Sequence, residues 1–396
     1  MSVTAAQGFR AAGVTAGLKA SGGLDVAVVL NDGPRFDAAG VFTSNRVQAA
    51  PVRWSREVLR HGQVRAVVLN SGGANACTGP QGFQDTHATA EHAAARLSGR
   101  RLGGRPAGAG IMIGPAEIAV CSTGLIGERL PMPALLSGVT AALGVASVEG
   151  GGAAADAIMT TDTRPKVAAV TGDGFTVGGM AKGAGMLAPG LATMLVVLTT
   201  DAVADPSTLD KVLRDACRVT FDRVDSDGCM STNDTVLLLS SGAAGAPAPA
   251  ALAAAVTAAC ADLAAQLLSD AEGSTKDIQI AVVNAASEDD AVEVGRAIAR
   301  SNLVKTAFFG NDPNWGRILS AIGTTAAAFD PDEVDVSVNG VPVCVGGAAG
   351  ADRSTVDLSG RAVAVAVDLH AGSARATVAT NDLSLAYVHE NSAYST

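Results

Sequence analysis

A threonine and a lysine in a segment of small residues are the side chains of this sequence best suited to covalent chemistry. Lys182 opens the run Lys-Gly-Ala-Gly-Met, which continues through Pro189 and Gly190 to Ala192 and into an apolar stretch that begins at Thr193. A threonine hydroxyl is a poor nucleophile unless a base stands beside it, and the α-amine of a chain terminus, with an ordinary pKa of about 8, is such a base. Thr193 would gain that amine if the peptide bond after Ala192 were cut. On composition alone, a β-branched residue that merely begins a strand is the simpler interpretation of Thr193.

Two further segments place hydroxyls and backbone amides at the ends of apolar runs. Residues 121–124 bring the hydroxyl of Thr123 next to the N–H of Gly124, and such a pair can bind a carbonyl oxygen that becomes an oxyanion. Residues 70–79, rich in Gly and Asn, follow another apolar run. Each segment by itself is more typical of a turn than of a site.

Motifs of other enzyme classes are missing from the sequence. It contains no G-x-x-x-x-G-K-[ST], no H-E-x-x-H, no G-x-S-x-G and no G-x-G-x-x-G after a strand, so phosphate-loop, zincin, hydrolase-elbow and dinucleotide-binding functions lack support. The five histidines form no pattern that indicates catalysis, and the six cysteines include no C-x-x-C pair. We therefore expect no metal site, no cofactor and thiols that are mostly buried and free.

Composition and charge restrict the class of protein. The chain has 396 residues, a formal net charge of -10, 48% hydrophobic residues and only 3% aromatic ones. An acidic chain with so few rings lacks the basic surface and the stacking platforms of nucleic-acid binding. The N-terminus shows no export signal, and no window approaches the run of roughly 20 apolar residues that spans a bilayer. We expect a cytoplasmic protein without nucleic-acid or membrane partners.

Short apolar runs alternate with Ala-rich stretches along the whole chain, which predicts a mixed α/β protein. Two helix starts are well marked, since Asp205 precedes a proline and Ser287 has Asp290 three residues on. Residues 99–110, 242–249 and 346–353 are predicted surface connections. The predicted strands cover 24–30, 65–70, 117–122, 193–200, 235–240, 278–283 and 362–368, and the predicted helices cover 87–98, 133–143, 207–223, 250–269 and 289–301.

These segments together resemble the ornithine acetyltransferase family, bifunctional acetyltransferases of arginine biosynthesis that use an N-terminal nucleophile. The run from Lys182 through Ala192 and Thr193 is similar to the self-cleavage segment of that family. The likeness extends over essentially the whole chain. It is carried by further motifs at 8–13, 40–45, 70–79, 121–127, 159–163, 231–235, 272–276, 310–317 and 387–396.

The resemblance implies both a fold and a set of site residues. The fold would be an α/β, αββα layered, N-terminal-nucleophile-like fold of the DmpA/ornithine acetyltransferase type, with a smaller C-terminal lobe at about 275–396. The precursor would cut itself between Ala192 and Thr193 into chains 1–192 and 193–396, assembled as two copies of each. Thr193 would be the nucleophile, with Thr123 and Gly124 as the oxyanion hole. The positions that match the family's substrate contacts are Thr160, Lys182, Thr193, Glu272, Asn391 and Thr396.

The implied reaction moves the acetyl group of N2-acetyl-L-ornithine to L-glutamate through an acetyl-threonine intermediate, without a cofactor. Some family members also take acetyl from acetyl-CoA, and the sequence leaves that use open. Ornithine ends in an ammonium and glutamate in a carboxylate, so a pocket with one fixed unpaired charge would reject one of them. We therefore expect Lys182 and Glu272 to act as an opposite-sign set, with Asn391 and Thr396 supplying neutral hydrogen bonds.

Two other classes stay open on the sequence. A self-processing threonine aminopeptidase or amidohydrolase of the same fold would use Thr193 in the same way but pass the acyl group to water. The likeness at 182–186 and 391–396 favours the transferase. A non-enzymatic protein that stays uncut would deny Thr193 its amine.

Overall fold

The structure, a computed structural model, describes residues 2–98, 112–188 and 194–393. Within these ranges the strands are β1 (Phe9–Val14), β2 (Val26–Asn31), β3 (Ala38–Phe42), β4 (Ala66–Gly73), β5 (Ile118–Leu125), β6 (Lys166–Gly172), β7 (Phe175–Lys182), β8 (Leu195–Thr200), β9 (Thr235–Ser240), β10 (Asp277–Ala285), β11 (Asp335–Val338), β12 (Val341–Val345), β13 (Ala348–Ala349), β14 (Ala362–Asp368) and β15 (Ala374–Asn381). The helices are α1 (Ala50–Val58), α2 (Gly79–Leu97), α3 (Met132–Val145), α4 (Gly151–Ala157), α5 (Pro206–Val219), α6 (Pro249–Ser269), α7 (Glu288–Arg300), α8 (Asn302–Phe309), α9 (Trp315–Ile322) and α10 (Leu385–Ala393).

Two sheets face each other in the N-terminal part of the chain. The first has the order β1-β2-β4-β5 and the second the order β3-β9-β8-β7-β6. Along β2, Ala27 and Val29 enter the core between the two sheets, whereas Val26 and Val28 join the core beneath α2 and α3. The strand β8 divides its side chains in the same way between the inter-sheet core and the core beneath α5 and α6. Because strand side chains alternate between faces, the described residues stack as helix, sheet, sheet, helix, which confirms the expected αββα fold.

The C-terminal part of the described chain forms a sheet of its own. Its order is β13-β12-β11-β14-β10-β15, and its inner face packs against α7, α8 and α9 around a separate apolar cluster. The buried Lys305 fastens α8 to the rest of the chain, because its ammonium donates to the carbonyl of Ser226 at 2.6 Å and to the carbonyl of Asn381.

Each predicted strand and helix overlaps an element of the structure, and both marked helix starts are confirmed. Asp205 accepts from the N–H of Ser207 at 2.9 Å, and Ser287 accepts from the N–H of Asp290 at 3.1 Å. The helix predicted over 87–98 begins earlier, at Gly79, because Pro80 occupies its first turn, where a missing N–H costs nothing. The predicted connection 99–110 lies outside the described residues, and 346–353 includes the short strand β13.

The expectation that no apolar segment is long enough to span a membrane was wrong for α6. This helix of 21 residues has a mean hydropathy of 1.7 and is the one helix in the described ranges that meets the length and composition of a membrane span. Alanine fills ten of its 21 positions, and the polar residues Asp262 and Gln266 interrupt its apolar runs although the mean hydropathy stays high. Leu252, Val256 and Leu263 are fully buried beneath the second sheet, so the helix is part of a core layer.

The cysteines follow the sequence expectation in the main. All six are free, four of them are buried, and Cys77 and Cys229 are exposed. Burial raises the pKa of the Cys121 and Cys260 thiols to about 12, so these two stay protonated and serve as small apolar side chains.

Candidate active site

Thr123 and Gly124 lie at the end of β5, where the strand runs parallel to β4. The register pairs Gly124 with Gly72, and the two backbones approach so closely that a Cβ on Gly124 would stand 2.6 Å from the carbonyl carbon of Gly72. Gly124 also has φ of +127°, a conformation that only glycine adopts without strain. Gly72 in turn packs against the carbonyl of Leu18. The position after Thr123 therefore has to be glycine.

Lys182 ends β7 in the facing sheet, and the antiparallel register places it opposite Leu195 at the start of β8. The predicted cleavage residues Ala192 and Thr193 lie outside the described residues, but the pairing brings the beginning of β8 next to Lys182. The neighbouring Met194 donates its backbone N–H to Asp234 at 3.1 Å. Burial raises the pKa of Asp234 well above the usual range of a carboxyl.

A hydrogen bond connects the two facing sheets at this point. The ammonium of Lys182 donates to the hydroxyl oxygen of Thr123 at 3.3 Å, and both side chains are buried. A lysine ammonium has three donors and no acceptor, so Thr123 must accept in this bond. Its own hydroxyl proton is thereby left to point elsewhere, as a donor.

A buried cluster of charges supports Lys182. Asp162 lies 4.0 Å from the Lys182 ammonium and 2.6 Å from that of Lys166, which is also 2.6 Å from Asp270. Asp162 further accepts from the N–H of Gly183 at 2.7 Å. Burial acts to raise the pKa of Asp162, but Lys182 and Lys166 outweigh it and hold that pKa below its ordinary value. Burial lowers the pKa of Lys182, against the opposing charge of Asp162.

Glu272 lies across the cavity between the end of α6 and the C-terminal helix α10. Its carboxylate accepts from the hydroxyl of Thr161 at 2.7 Å and from the side-chain amide of Asn391 at 3.0 Å. Its backbone N–H donates to the carbonyl of Ala184 at 2.9 Å, which ties it to the segment after Lys182. The C-terminal helix is thus held at the site by Glu272.

A cavity of about 440 Å³ collects the predicted residues that the structure describes. This volume suits a small-molecule ligand. Thr396, like Thr193, lies outside the described residues. The predicted residues that line the cavity together are Thr123, Gly124, Thr160, Lys182, Glu272 and Asn391.

Sequence reasoning missed three residues around this cavity. Lys19 and Asn233 line it, and Asp162 lies behind Lys182. The run Gly-Leu-Lys-Ala-Ser-Gly-Gly around Lys19 is a lone lysine among small residues before an apolar strand, which is the signal that singled out Lys182. The side-chain amide of Asn233 donates to the carbonyls of Ala74 and Ser122 at 2.6 and 2.8 Å. No spacing in the sequence predicts these two hydrogen bonds.

In the part of the chain that the structure describes, no group of three or more His, Cys, Asp or Glu residues is arranged to hold a metal ion.

The four-layer αββα arrangement is an N-terminal-nucleophile-like fold. Its two facing sheets bring a hydroxyl, a buried ammonium and a carboxylate to one cavity. The comparison with known proteins makes the assignment specific: this chain is a member of the ArgJ family, whose profile matches residues 10–396. The family resemblance inferred from the sequence is thereby confirmed.

Several relatives match this chain from end to end. It is 65% identical over 397 residues to the arginine biosynthesis bifunctional protein ArgJ of Streptomyces coelicolor, with 100% of both chains covered. It is 62% identical over 397 residues to the protein of the same name from Thermobifida fusca, again with 100% of both covered. A crystal structure of ornithine acetyltransferase from Mycobacterium tuberculosis in complex with ornithine shares 57% identity, covering 49% of this chain and 96% of that chain with a TM-score of 0.45.

Proposed function

We propose that this protein transfers the acetyl group of N2-acetyl-L-ornithine to L-glutamate, with Thr193 as the nucleophile and no cofactor. The observation that best supports the proposal is the bond from Lys182 to Thr123 in a cavity that also contains Glu272 and Asn391. Family membership supports the reaction class, and this geometry supports roles for Thr123 in binding the oxyanion and for Lys182 and Glu272 in binding substrate charges. The relatives share the name of arginine biosynthesis bifunctional protein.

In the first half-reaction the Thr193 hydroxyl attacks the acetyl carbonyl carbon and passes its proton to the α-amine of the same residue. The carbonyl oxygen becomes an oxyanion, which the hydroxyl of Thr123 and the N–H of Gly124 bind. The Thr123 oxygen accepts a hydrogen bond from the Lys182 ammonium. The hydroxyl proton of Thr123 therefore points away from Lys182 and is available to the oxyanion. Collapse breaks the bond to the ornithine nitrogen, which takes the proton and leaves an acetyl ester on Thr193.

In the second half-reaction the amine of glutamate attacks the ester carbonyl carbon. The same oxyanion hole serves again, the α-amine of Thr193 takes a proton from the attacking nitrogen and returns it to the Thr193 oxygen as that oxygen's bond to the acetyl carbon breaks, and N-acetyl-L-glutamate leaves. Water would compete for this ester, so the site has to position glutamate and limit solvent access. The Thr123 and Lys182 side chains lie at the buried end of the cavity, with relative exposures of 2% and 1%, which supports such exclusion.

The nucleophile needs a free amine, so the proposal includes self-cleavage between Ala192 and Thr193. The Thr193 hydroxyl attacks the carbonyl carbon of Ala192, the amide becomes an ester, and water cleaves the ester to release the Ala192 carboxylate and the Thr193 amine. The products are the chains 1–192 and 193–396, the second of which carries the C-terminal lobe. We further propose that two copies of each assemble and that the enzyme acts in the cytoplasm, without nucleic-acid or membrane partners.

Lys182 and Glu272 serve the two substrates with opposite charges. The α-carboxylate is bonded to the carbon that carries the reacting nitrogen, so it must lie close to Thr123, and Lys182 is within hydrogen-bond distance of that residue. Glu272 then accepts the side-chain ammonium of ornithine, with Asn391 and Thr160 as neutral neighbours in the cavity wall.

A product assay on the purified protein tests the proposal. Incubation with N2-acetylornithine and glutamate should give ornithine and N-acetylglutamate in equal amounts. Without glutamate, release of ornithine should stop at one equivalent per nucleophile. Continuous release of acetate would instead assign the protein to the hydrolases that share this fold, and the absence of any ornithine would refute the proposal. Radiolabelled acetyl-CoA in place of acetylornithine measures whether acetyl-CoA is also a donor.

A further inference from the structure

Lys19 is a third charged residue in the wall of the active-site cavity. Among the residues that line this cavity in the described chain, the charged ones are Lys19, Lys182 and Glu272. Lys19 lies in the connection between β1 and β2 and follows Leu18, whose carbonyl packs against the backbone of Gly72 in β4. The segment that carries Lys19 therefore borders β4, the strand that pairs with the oxyanion-hole strand β5.

The backbone around Lys19 is firmly held. Asp25 is fully buried, and its carboxylate accepts from the N–H groups of Ala16, Leu18 and Lys19 at 2.6, 2.6 and 3.2 Å. The Lys19 ammonium donates to the carbonyl of Leu24 at 2.7 Å. An ammonium has three donors, so this single bond to the described chain leaves two for a ligand. Such a fixed, partly desolvated ammonium is suited to bind an anionic group.

The surrounding charges leave Lys19 without a carboxylate of its own in the cavity. Lys182 and Lys166 are balanced by Asp162 and Asp270 in the buried cluster. The Asp25 carboxylate accepts hydrogen bonds from backbone N–H groups near Lys19. Within the described residues, no ion pair joins this carboxylate to the Lys19 ammonium, which donates to the carbonyl of Leu24. Burial lowers the pKa of Lys19, with Asp25 and Asp162 opposing, so the nearby acids favour its charged form.

The two substrates differ in the charge that they bring to this cavity. N2-acetylornithine brings one carboxylate and one ammonium, which Lys182 and Glu272 match. Glutamate brings two carboxylates, and with Lys182 alone its second carboxylate would face Glu272, a like charge that disfavours binding. A second cation removes this conflict.

We propose that Lys19 binds the side-chain carboxylate of the acceptor glutamate and so sets the specificity of the second half-reaction. This inference rests on the proposed function, and it adds a residue to which neither the sequence motifs nor the family likeness assigned a role. Lys19 is a binding residue here and takes no part in bond making or breaking.

The test compares Lys19→Met with Lys19→Arg and with Lys211→Met, a control whose side chain is 78% exposed on α5. Each half-reaction is measured separately: ornithine release in a single turnover, and loss of the acetyl-enzyme with increasing glutamate. Lys19→Met should lower kcat/KM for glutamate by roughly 10- to 100-fold, mainly through KM, because it removes a hydrogen bond between charged groups. The donor half-reaction should stay within about 3-fold, the size of one modest contact. Lys19→Arg should recover most of the loss, and Lys211→Met should match the wild type.

The ratio of glutamate to glutamine as acceptors gives a second readout, which does not depend on how much of a variant is folded. Glutamine lacks the side-chain charge, so the wild type should prefer glutamate strongly and Lys19→Met should lose most of this preference. The ratio of glutamate to its α-amide should not change, because Lys182 binds the α-carboxylate. An unchanged glutamate/glutamine ratio in Lys19→Met, or equal losses in both half-reactions, would overturn the inference. A wild type that transfers no acetyl to glutamate would instead overturn the proposed function.

Discussion

Replacement of Thr123 by valine removes the proposed oxyanion donor with little change of shape. Thr123 is 2% exposed at the end of β5, and its hydroxyl oxygen accepts a hydrogen bond from the ammonium nitrogen of Lys182 at 3.3 Å. Valine fills the same volume but offers no hydroxyl. The Gly124 N–H, the other proposed donor, is unaffected because the glycine backbone is fixed by its close approach to Gly72.

The expected loss follows from one missing donor. Removal of a single oxyanion-hole donor typically lowers kcat by about 10²- to 10³-fold, or roughly 2.7–4 kcal/mol of transition-state stabilisation. Substrate affinity should change much less, since the hydroxyl binds charge that develops only in the transition state. The buried Lys182 loses an acceptor, which should lower the free energy of unfolding by about 1–3 kcal/mol.

Single-turnover acetylation by N2-acetylornithine measures the chemical step directly, and denaturant unfolding measures the stability cost. Thr123→Ser is the matched control, because it restores the hydroxyl and should act within about 10-fold of the wild type, well short of the loss of a donor. Wild-type kcat in Thr123→Val, or an equal loss in both variants, would refute the assignment of Thr123 as a hydroxyl donor.

Three further predictions concern the residues around this donor. Activity should fall on the alkaline side at a pH below the ordinary lysine pKa, because burial lowers the pKa of Lys182 and the ammonium is lost as pH rises through that value. Asp162→Asn removes a charge that raises this pKa, so the pH–rate profile of the variant should fall at a lower pH than that of the wild type. An unchanged profile would contradict the coupling of Asp162 to Lys182. Glu272→Gln keeps an acceptor for Thr161 but loses the negative charge, so it should raise KM for acetylornithine by roughly 10-fold or more and should not raise KM for glutamate. Steady-state kinetics with each substrate measures both values, and equal increases in the two KM values would contradict this role of Glu272. Gly124→Ala places a Cβ 2.6 Å from the carbonyl carbon of Gly72 at a φ of +127°. The free energy of unfolding measured with denaturant should therefore fall by roughly 2 kcal/mol or more, and wild-type stability would show that the two strands can move apart to accept the methyl group.

The periodic part of the fold was predictable because apolar alternation and helix caps are local signals. The strands 235–240 and 362–368 were predicted with the bounds that the structure has, and both marked helix starts are confirmed. Eight of the fifteen described strands were missed; among them, β7 is rich in glycine and β6 has an exposed face, so neither forms the apolar run that marks a buried strand. The order of strands within the sheets was beyond local signals, because β3 pairs with β9, about half the chain away in sequence.

The candidate site was predictable mainly where a family motif contains its residues. The likeness to a family named Thr123, Gly124, Thr160, Lys182, Glu272 and Asn391, and these residues line one cavity. The roles of the supporting residues were harder to predict. Asp162 acts through two buried lysines, Lys166 and Lys182, and its approach to Lys182 depends on how the chain packs. The run around Lys19 has the same signal as the run at Lys182, but the contacts of its backbone with Asp25 follow only from the folded loop.

The central claim is that Thr193, freed by cleavage after Ala192, carries the acetyl group between the substrates. Intact-mass analysis of the protein after a brief exposure to N2-acetylornithine tests it most directly. We expect two chains, 1–192 and 193–396, with one acetyl group on the second chain at Thr193, which disappears when glutamate is added. An uncut chain of 39.2 kDa that nevertheless transfers acetyl, or an acetyl group on any other residue, would contradict the claim.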